Sequence, residues 1–433
     1  MKKITYLLAT AILVLLTTTL VYGAQSSQVL AKNYGINGYS IAYSESEKVT
    51  FQNYGRGINE KSVFELASNG KVVGAYIALT LVDEGKLNLD EKIAPYLKPD
   101  LLTDDTRMED ITLRQLLCHT AGFSPSYELR VDKKLYSDPG AEFRYSGVGY
   151  IYLQSVIETV SGMTMEQATE HYVFTPLGMN NSTFEHVKTV TPYMSLSSAV
   201  LYALAGFIIV FIGLMLLTSL LGKITKFRFY TFKNGMISCI IIAGIINIIF
   251  LLFVFVSKVM IVFLVYLLLI GLLFFVARKK NKFFYVGMPI LTALLLILSY
   301  TIPFHIPVIN DLAAKEPNCA YTLKSTSEDM SLFCGELMWQ YSNGSETMKE
   351  MFTPAINIDH SNSWGLGIAI ELENEGETYW HSGINPGFQS LLVLYPKQGK
   401  YIIVLTNSDN GLAFSKDIAN IFLNIEGGWT IKR

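Results

Sequence analysis

Two side chains with the potential for covalent chemistry occur near residue 68. Ser68 and Lys71 are three residues apart at the start of an apolar run, so a helix would place them on one face. A serine hydroxyl becomes a nucleophile when a base removes its proton, and a helix N-terminus with a nearby lysine favours the resulting negative charge. A serine that caps a helix before a solvated lysine would give the same spacing, so the pair alone is weak support for catalysis.

Two further polar clusters strengthen the catalytic interpretation. Tyr145 comes just before a predicted helix, and a tyrosine phenol beside an ammonium group can act as a general base. His381, Ser382 and Gly383 lie on a predicted strand that leads into a glycine-rich turn. Polar groups at the ends of three elements, each in an apolar setting, predict one shared site. His119, by contrast, is interpreted as a structural histidine.

The elements that would position these groups predict an α+β fold. Residues 35–186 contain two short alternating strands, "GYSIAYSE" and "KVTFQNYG", followed by several amphipathic helices. Residues 315–433 contain a helix, at least three strands and a final helix. Neither segment builds a sheet with both faces covered. Together they predict one antiparallel sheet of about five strands flanked by helices, with the residues between them as an insertion.

The predicted insertion, residues 196–310, has the composition of a membrane domain. Four apolar runs, about 199–221, 236–256, 259–277 and 283–304, each approach the ~20 residues that span a bilayer. The block contains no Asp or Glu, and its first and third breaks are rich in Lys and Arg. Basic loops face the cytoplasm, so an all-α bundle of about four transmembrane helices would place both flanking segments outside.

The start of the chain also predicts export. Residues 1–24 have a basic start, an apolar stretch and small residues, which is typical of a signal peptide or an uncleaved anchor. Residues 25–195 and 311–433 are then the two parts of one extracytoplasmic domain of a multi-pass cell-membrane protein. The bilayer is one expected partner, and the other is a small-molecule or peptide substrate, such as one derived from the cell wall. The net charge of −2 gives no reason to expect nucleic acid.

The four cysteines are too few for a disulfide framework. Cys239 lies in an apolar run of the predicted membrane block. Cys319 and Cys334 could pair in an oxidising compartment, or remain buried free thiols.

The motifs outside the membrane block resemble the serine β-lactamase and penicillin-binding-protein-like hydrolases, in the class C and D-Ala-D-Ala carboxypeptidase branch. The resemblance covers about residues 35–186 and 315–425. Its landmarks follow one order along the chain: Ser68-Asn69-Gly70-Lys71, "LVDEGKLNLDEKI", "TLRQLLCHTAGF", "DPGAEFRYS", "TPLGMNNSTF", "STSEDMSLF" and "HSGINPGFQSLLVLYP".

The resemblance implies a role for each candidate residue. Ser68 would be the nucleophile that accepts the acyl group, Lys71 its activating neighbour, and Tyr145 the general base or proton shuttle. The backbone N–H groups of Ser68 and Ile384 would form the oxyanion hole. The substrate-binding residues would be His381, Ser382, Gly383 and Ile384. No metal or cofactor is implied.

One departure from the family pattern leaves the substrate open. Gly147 occupies the place of an asparagine whose side chain holds the substrate amide in this family, which disfavours efficient β-lactam hydrolysis. The first hypothesis is therefore a membrane-anchored hydrolase that acts on a cell-wall peptide, a D-amino-acid amide or ester, or a β-lactam-like compound. The alternative is a catalytically weak sensor or scaffold that binds penicillin or a peptidoglycan fragment. A transporter with an extracellular lid is disfavoured, because the block lacks acidic residues.

Overall fold

The computed structural model describes residues 27–45, 48–124, 133–195, 305–307, 316–373 and 376–431. The predicted signal or anchor and the four predicted spans lie outside the described residues. Among the helices in the described ranges, none is both long enough and apolar enough to cross a membrane. The chain divides into two compact units, one formed by residues 1–190 and 314–433 and the other by residues 191–313.

The first unit contains an antiparallel sheet with eight strands in the order β2-β1-β12-β11-β10-β9-β8-β7. Strands from both sides of the insertion form this sheet, because β1 pairs with β12. The strands are β1 (Tyr39–Glu45), β2 (Lys48–Tyr54), β7 (Ile356–Asn357), β8 (Asn362–Trp364), β9 (Ala369–Glu373), β10 (Gly376–Asn385), β11 (Phe388–Tyr395) and β12 (Lys400–Thr406). The predicted antiparallel α+β fold is confirmed. The predicted count of about five strands was low, because the stretch 356–373 folds back on itself as three short strands.

A second, two-stranded sheet joins the two sides of the chain at the predicted nucleophile. It consists of β3 (Phe64–Ala67) and β6 (Leu323–Ser325), which pair antiparallel. The sequence pattern did not predict β6, and it started the following helix at Ser325, the last residue of that strand. The structure instead begins that helix after Thr326, whose side chain accepts a hydrogen bond from the backbone N–H of Asp329.

The helices are short to medium in length. They are α1 (residues 27–34), α2 (Gly70–Asp83), α3 (Leu113–Leu117), α4 (Gly147–Ser161), α5 (Met165–Thr169), α6 (Thr175–Leu177), α7 (Ser327–Asn343), α8 (Glu346–Lys349) and α9 (Gly411–Leu423). Their ends follow local capping chemistry. Thr112 and Gln115 form a reciprocal capping box at α3, and α4 begins after Ser146 and ends at Gly162 in the left-handed conformation.

Alternation along β1 shows how the large sheet is covered. Neighbouring residues of a strand point to opposite faces. The Tyr39 ring packs on Phe414 of α9, with 5.2 Å between ring centroids, whereas the Ser40 hydroxyl lies 2.7 Å from the hydroxyl of Ser327 in α7. Helices α7 and α9 therefore cover opposite faces of the sheet.

The second unit is described only at its two ends. There β4 (Tyr193–Ser195) pairs antiparallel with β5 (His305–Pro307). The chain thus enters and leaves the predicted membrane block through two hydrogen-bonded strands.

Candidate active site

Ser68 lies in a tight turn between β3 and α2. Ala67 has φ 47°, a left-handed conformation that is rare for a residue with a side chain and costs about 1–3 kcal/mol. Asn69 is the N-cap residue of α2, which begins at Gly70, so Ser68 lies two residues before the helix. The turn closes through the backbone N–H of Asn69, which donates to Leu66 O at 3.1 Å.

The Lys71 ammonium connects Ser68 to the other candidate groups. Lys71 is completely buried, and its Nζ donates a hydrogen bond to Ser68 Oγ at 3.0 Å and another to the carbonyl oxygen of Ala320. The same Nζ lies 5.2 Å from the ring centroid of Tyr145 and 5.7 Å from that of Tyr150. Burial raises the pKa of the Tyr150 phenol well above its usual value, so Tyr150 remains a neutral neighbour.

The hydrogen bond from Lys71 to the Ala320 carbonyl could not be predicted from the sequence, because every residue has a main-chain oxygen. A turn built around Asn318 aims it at Lys71. Asn318 Oδ1 accepts hydrogen bonds from the backbone N–H groups of Ala320 and Tyr321, both at 3.1 Å. The turn is fastened to α4 because the backbone N–H of Cys319 donates to Gln154 Oε1 at 3.1 Å.

Tyr145 is positioned by the capping residue of α4 and by His119. The Ser146 hydroxyl accepts a hydrogen bond from the backbone N–H of Gly149 at 3.0 Å and donates one to Ser124 O at 2.5 Å. The backbone N–H of Ser146 donates to His119 Nδ1 at 3.1 Å, and the His119 and Tyr145 rings are 4.4 Å apart between centroids. His119 thus holds the Tyr145 loop in place, in keeping with its structural interpretation.

His381, Ser382 and Gly383 lie on β10, which runs beside the Ser68 turn. The His381 ring is 6.1 Å from the Tyr145 ring between centroids, and His381 Nδ1 donates to Ser382 O at 2.9 Å. A Cβ at Gly383 would lie only 1.9 Å from Leu66 O, so only glycine permits this close approach. The backbone at Gly383 and Ile384 is therefore held next to the chain that leads into Ser68, as an oxyanion hole requires.

Asn69 fixes the start of α2 to the large sheet. Its Nδ2 donates to Ser390 Oγ at 2.8 Å, and the Ser390 hydroxyl donates to Leu66 O at 3.1 Å. Ser390 is paired with Gly383 across β10 and β11. The nucleophile turn and the β10 motif therefore share one hydrogen-bonded connection, which the sequence analysis did not single out.

The cysteines take no part in a disulfide within the described residues. Cys118, Cys319 and Cys334 are all buried free thiols, so Cys319 and Cys334 do not pair. Burial raises the pKa of the Cys319 thiol to about 12, against a smaller lowering by the Lys71 charge. The thiol next to the candidate site is therefore inert. The described residues also contain no group of His, Cys, Asp and Glu that could hold a metal ion.

A serine bonded to a buried lysine under an antiparallel sheet, with a tyrosine beside the lysine, is the arrangement of an acyl-transferring serine hydrolase. Comparison with known sequences agrees. The chain matches the Beta-lactamase family over residues 24–194 and 305–423, more than half of its length. The chain therefore belongs to the Beta-lactamase family.

Individual relatives match over shorter stretches. The chain is 30% identical over 143 residues to "Penicillin-binding protein 4" of Amycolatopsis lactamdurans, covering 30% of this chain and 38% of the relative. It is 30% identical over 197 residues to "Protein flp" of Staphylococcus aureus (strain MW2), covering 40% of this chain and 39% of the relative. The chain thus spans about two fifths of the length of these curated relatives.

Solved structures share the fold over most of the chain. A D-stereospecific amidohydrolase from Streptomyces sp. superposes with a TM-score of 0.59 at 17% identity, covering 93% of this chain and 98% of the other. A β-lactamase/D-alanine carboxypeptidase from Pseudomonas syringae gives a TM-score of 0.61 at 14% identity, covering 95% and 100%. The predicted family is confirmed by the family match, and the solved structures share its fold. The serine hydrolase activity of the chain is a proposal. The roles of the individual site residues stay predictions.

Proposed function

We propose that this protein is a membrane-anchored serine hydrolase that forms an acyl-enzyme at Ser68. The contact that carries the proposal is the 3.0 Å hydrogen bond between Lys71 Nζ and Ser68 Oγ, in a site where Lys71 is fully buried. A buried lysine in a structural role would satisfy its charge with surrounding acceptors and would not need a serine hydroxyl at a strained turn.

The proposed reaction has two halves. Ser68 Oγ attacks the substrate carbonyl, and its proton passes to the oxygen of Tyr145, which reacts in its deprotonated form beside the Lys71 ammonium. The backbone N–H groups of Ser68 and Ile384 hold the oxyanion. The tetrahedral adduct collapses, the bond to the leaving amine or alcohol breaks, and the Lys71–Tyr145 pair returns the proton to that leaving group. Water, deprotonated by the same pair, then releases the acid and regenerates Ser68.

We infer that the substrates are D-amino-acid derivatives or peptides. The names of similar proteins support this class: a D-stereospecific amidohydrolase, a D-alanine carboxypeptidase and a penicillin-binding protein are among them. Cell-wall peptides, D-amino-acid amides or esters, and β-lactam-like compounds all contain the carbonyl that the reaction needs. The reaction itself needs no cofactor.

We also propose that the hydrolase domain lies outside the cell and is anchored by residues 199–304. The four apolar runs, their basic breaks and the apolar N-terminal stretch support this location. The pairing of β4 with β5 is compatible with it, because an even number of spans returns the chain to the side that it left.

Gly147 supports a second candidate function. It lies at the first turn of α4, next to Tyr145, where the family has an asparagine side chain for the substrate amide. Slow deacylation would turn the same fold into a sensor or scaffold that holds penicillin or a peptidoglycan fragment. The two candidates differ in the lifetime of the acyl-enzyme.

The test is active-site labelling of the full-length protein in membranes. We expect a fluorescent fluorophosphonate to label the wild type and not Ser68→Ala, because only an activated serine attacks this probe. Ser331→Ala is the matched control, since Ser331 is a buried serine of α7 whose hydroxyl donates to Glu328 O at 2.7 Å. Equal labelling of the wild type and Ser68→Ala would refute the acyl-enzyme.

A fluorescent penicillin then separates the two candidates. A label that disappears within minutes after a chase supports a hydrolase, whereas a label that lasts for hours supports a sensor. A membrane-impermeant fluorophosphonate applied to intact cells tests the location. Labelling only after the cells are broken would contradict an extracytoplasmic domain.

A further inference from the structure

The end of β10 that contains Ile384, the candidate oxyanion donor, has a partner strand on one side only. Within the described residues, β9 pairs with β10 no further than Trp380, whereas β11 pairs with it as far as Asn385. Hydrogen bonds of the large sheet therefore hold one edge of this end and leave the other edge open. An open edge is accessible to substrate, but the sheet alone does not fix the distance between the Ile384 N–H group and Ser68.

Open space also adjoins this end of β10. A pocket of about 200 Å³ lies beside Tyr145 and His381, and Ile384 contributes to its lining. Two other lining residues, Trp364 and Trp380, have buried indole N–H groups that find no acceptor among the described residues. The pocket therefore leaves this face of β10 without close packing and without a hydrogen bond from these indoles.

The turn after this end adds little rigidity of its own. Pro386 and Gly387 connect β10 to β11, because Asn385 is paired with Phe388. Proline fixes φ at about −65°, and Gly387 has φ 74°, a combination that fits a type II turn. Two-residue hairpins prefer the mirror-image turns, whose twist matches that of the strands, whereas a type II turn splays them. A contact outside the hairpin is therefore needed to fix its position.

Asn385 makes that contact with both N–H groups of its side-chain amide. The residue is 9% exposed, and its Nδ2 donates to Glu65 Oε2 at 2.7 Å and to the carbonyl oxygen of Tyr321 at 3.2 Å. A primary amide has two N–H donors, so the two acceptors use its full donor capacity. The bond to Glu65 has a carboxylate acceptor, a type of bond about twice as strong as one between neutral groups.

The two acceptors belong to different segments of the candidate site. Glu65 lies on β3, the strand that leads into the Ser68 turn. Tyr321 belongs to the turn that aims the Ala320 carbonyl at the buried lysine. Asn385 itself directly follows the candidate oxyanion donor on β10. One amide group therefore connects the segments that carry the nucleophile, the acceptor of the lysine and the oxyanion donor.

We propose that Asn385 is a positioning residue for acyl transfer, which holds the Ile384 N–H group at the distance from Ser68 that the developing oxyanion requires. The inference rests on the proposed function, because it concerns the acyl-enzyme at Ser68. Asn385 acts through the main chain of β10 and not by contact with the reacting atoms. Removing one oxyanion donor costs about 10²–10³-fold in rate, so displacing a donor should cost less, about 10–100-fold.

Asn385→Asp tests the proposal at nearly constant side-chain shape. The new carboxylate has no N–H group to donate. It faces the Glu65 carboxylate and the Tyr321 carbonyl, so the end of β10 should move away from both. We expect fluorophosphonate labelling of Ser68 in the full-length protein to slow by about 10–100-fold. Thermal melting by circular dichroism identifies any variant that has lost its fold.

Asn362→Asp is the matched control. Asn362 Nδ2 donates to Asp359 Oδ1 at 3.0 Å and to Asp359 Oδ2 at 3.1 Å, so an aspartate there also places one carboxylate against another. Asn362 begins β8 and lies outside the candidate site. This variant should be labelled at the wild-type rate.

The double variant with Asn385→Asp and Glu65→Gln distinguishes positioning from a general loss of structure. It exchanges donor and acceptor between the two positions and leaves the number of charges unchanged. The introduced glutamine amide can donate to the introduced aspartate and restore a bond between β3 and β10, whereas the Tyr321 carbonyl still lacks its donor. We expect the double variant to be labelled faster than Asn385→Asp by about 5-fold or more.

Two outcomes would overturn the inference. One is labelling at the wild-type rate by folded Asn385→Asp or, if that variant does not fold, by Asn385→Ala, which removes both bonds and adds no charge. The other is a double variant that is labelled no faster than Asn385→Asp, because the loss would then not depend on the bond between Glu65 and Asn385. A wild type without labelling at Ser68 refutes the proposed function, whereas a labelled wild type with equally labelled Asn385 variants refutes only the positioning role.

Discussion

The two sides of the Tyr145–His381 ring pair differ in how their polar groups are satisfied. On the Ser68 side, the Lys71 ammonium already donates to Ser68 Oγ and to the Ala320 carbonyl. On the pocket side, two buried indole N–H groups have no acceptor among the described residues. The first arrangement is complete without substrate, as expected of a preorganised reaction centre. The second leaves two buried donors unsatisfied, which lowers the stability of that side of the site.

Different segments of the chain also build the two sides of the site. The Ser68 side is built from α2, the Asn318 turn and the loop before α4, which hydrogen bonds fasten to one another. The pocket side is closed by residues 427–431, held chiefly by Glu371. The Ser68 side and the pocket side thus rest on separate supports that meet at β10. Changes to either support should therefore affect one side more than the other.

The largest effect is expected for Lys71→Met. Methionine fills a similar volume without a charge, so the fold should survive, and removing a buried charge avoids its desolvation cost. Loss of the proton-transferring neighbour of Ser68 should slow fluorophosphonate labelling by about 10²–10⁴-fold. Labelling rates measured from time courses, together with thermal melting by circular dichroism, check this expectation.

The local parts of the site were accessible from the sequence. Ser68 and Lys71 are three residues apart at the start of α2, so their spacing predicted that they are close together. Tyr145 precedes a helix with a clear capping residue, Ser146. The antiparallel α+β fold followed from alternating and helical patterns in both segments. Proximity of His381 to Tyr145 was a less direct inference, from polar groups at the ends of elements and from the family resemblance, because distant segments of the chain supply the two rings.

The remaining parts depend on tertiary contacts that no local pattern encodes. The Ala320 carbonyl reaches Lys71 through a turn whose side chains contact α4, and Trp429 reaches the pocket through bonds between its backbone and Glu371. The strand β6 was missed because three residues next to a helix cap give no alternation of their own. Such short elements are defined by their partners, here β3, and not by propensity.

A smaller effect is expected for Gly383→Ala, which disturbs the strand shared by both sides. The new Cβ would meet Leu66 O at 1.9 Å and Ser390 Oγ at 2.6 Å, so β10 must move away from the Ser68 turn. We expect destabilisation of about 1–3 kcal/mol, as for overpacking in a core. A displaced oxyanion donor should also slow labelling by about 10²-fold. Chemical denaturation and labelling time courses measure the two effects.

Gly335→Ala is the matched control for this variant. Gly335 lies in the interior of α7 and a Cβ there would meet no atom within 4 Å, so alanine should preserve or slightly raise stability. Wild-type labelling by Gly383→Ala would mean that the close approach of β10 to Leu66 has no part in catalysis.

The smallest effect is expected for Glu373→Gln. Glu373 lies on β9, two residues after Glu371, whose carboxylate holds the pocket wall. Burial, and secondarily the charge of Glu371, raises the pKa of Glu373 from 4.5 to about 7. The folded state thus retains a proton that the unfolded chain releases, and the free energy of unfolding falls as pH rises from about 4.5 to about 7. Glu373→Gln cannot ionise and should escape this fall. We expect its melting temperature to match the wild type at pH 5 and to exceed it by no more than about 2 °C at pH 8, since Glu373 is partly solvated.

The exposed Glu346 supplies the control for this small difference, because its side chain is 94% exposed. Glu346→Gln should melt like the wild type at both pH values. A Glu373→Gln variant that is less stable than the wild type at pH 8 would mean that the carboxylate holds residues 427–429 by a favourable charge. The pocket wall would then rest on two acidic side chains, Glu371 and Glu373.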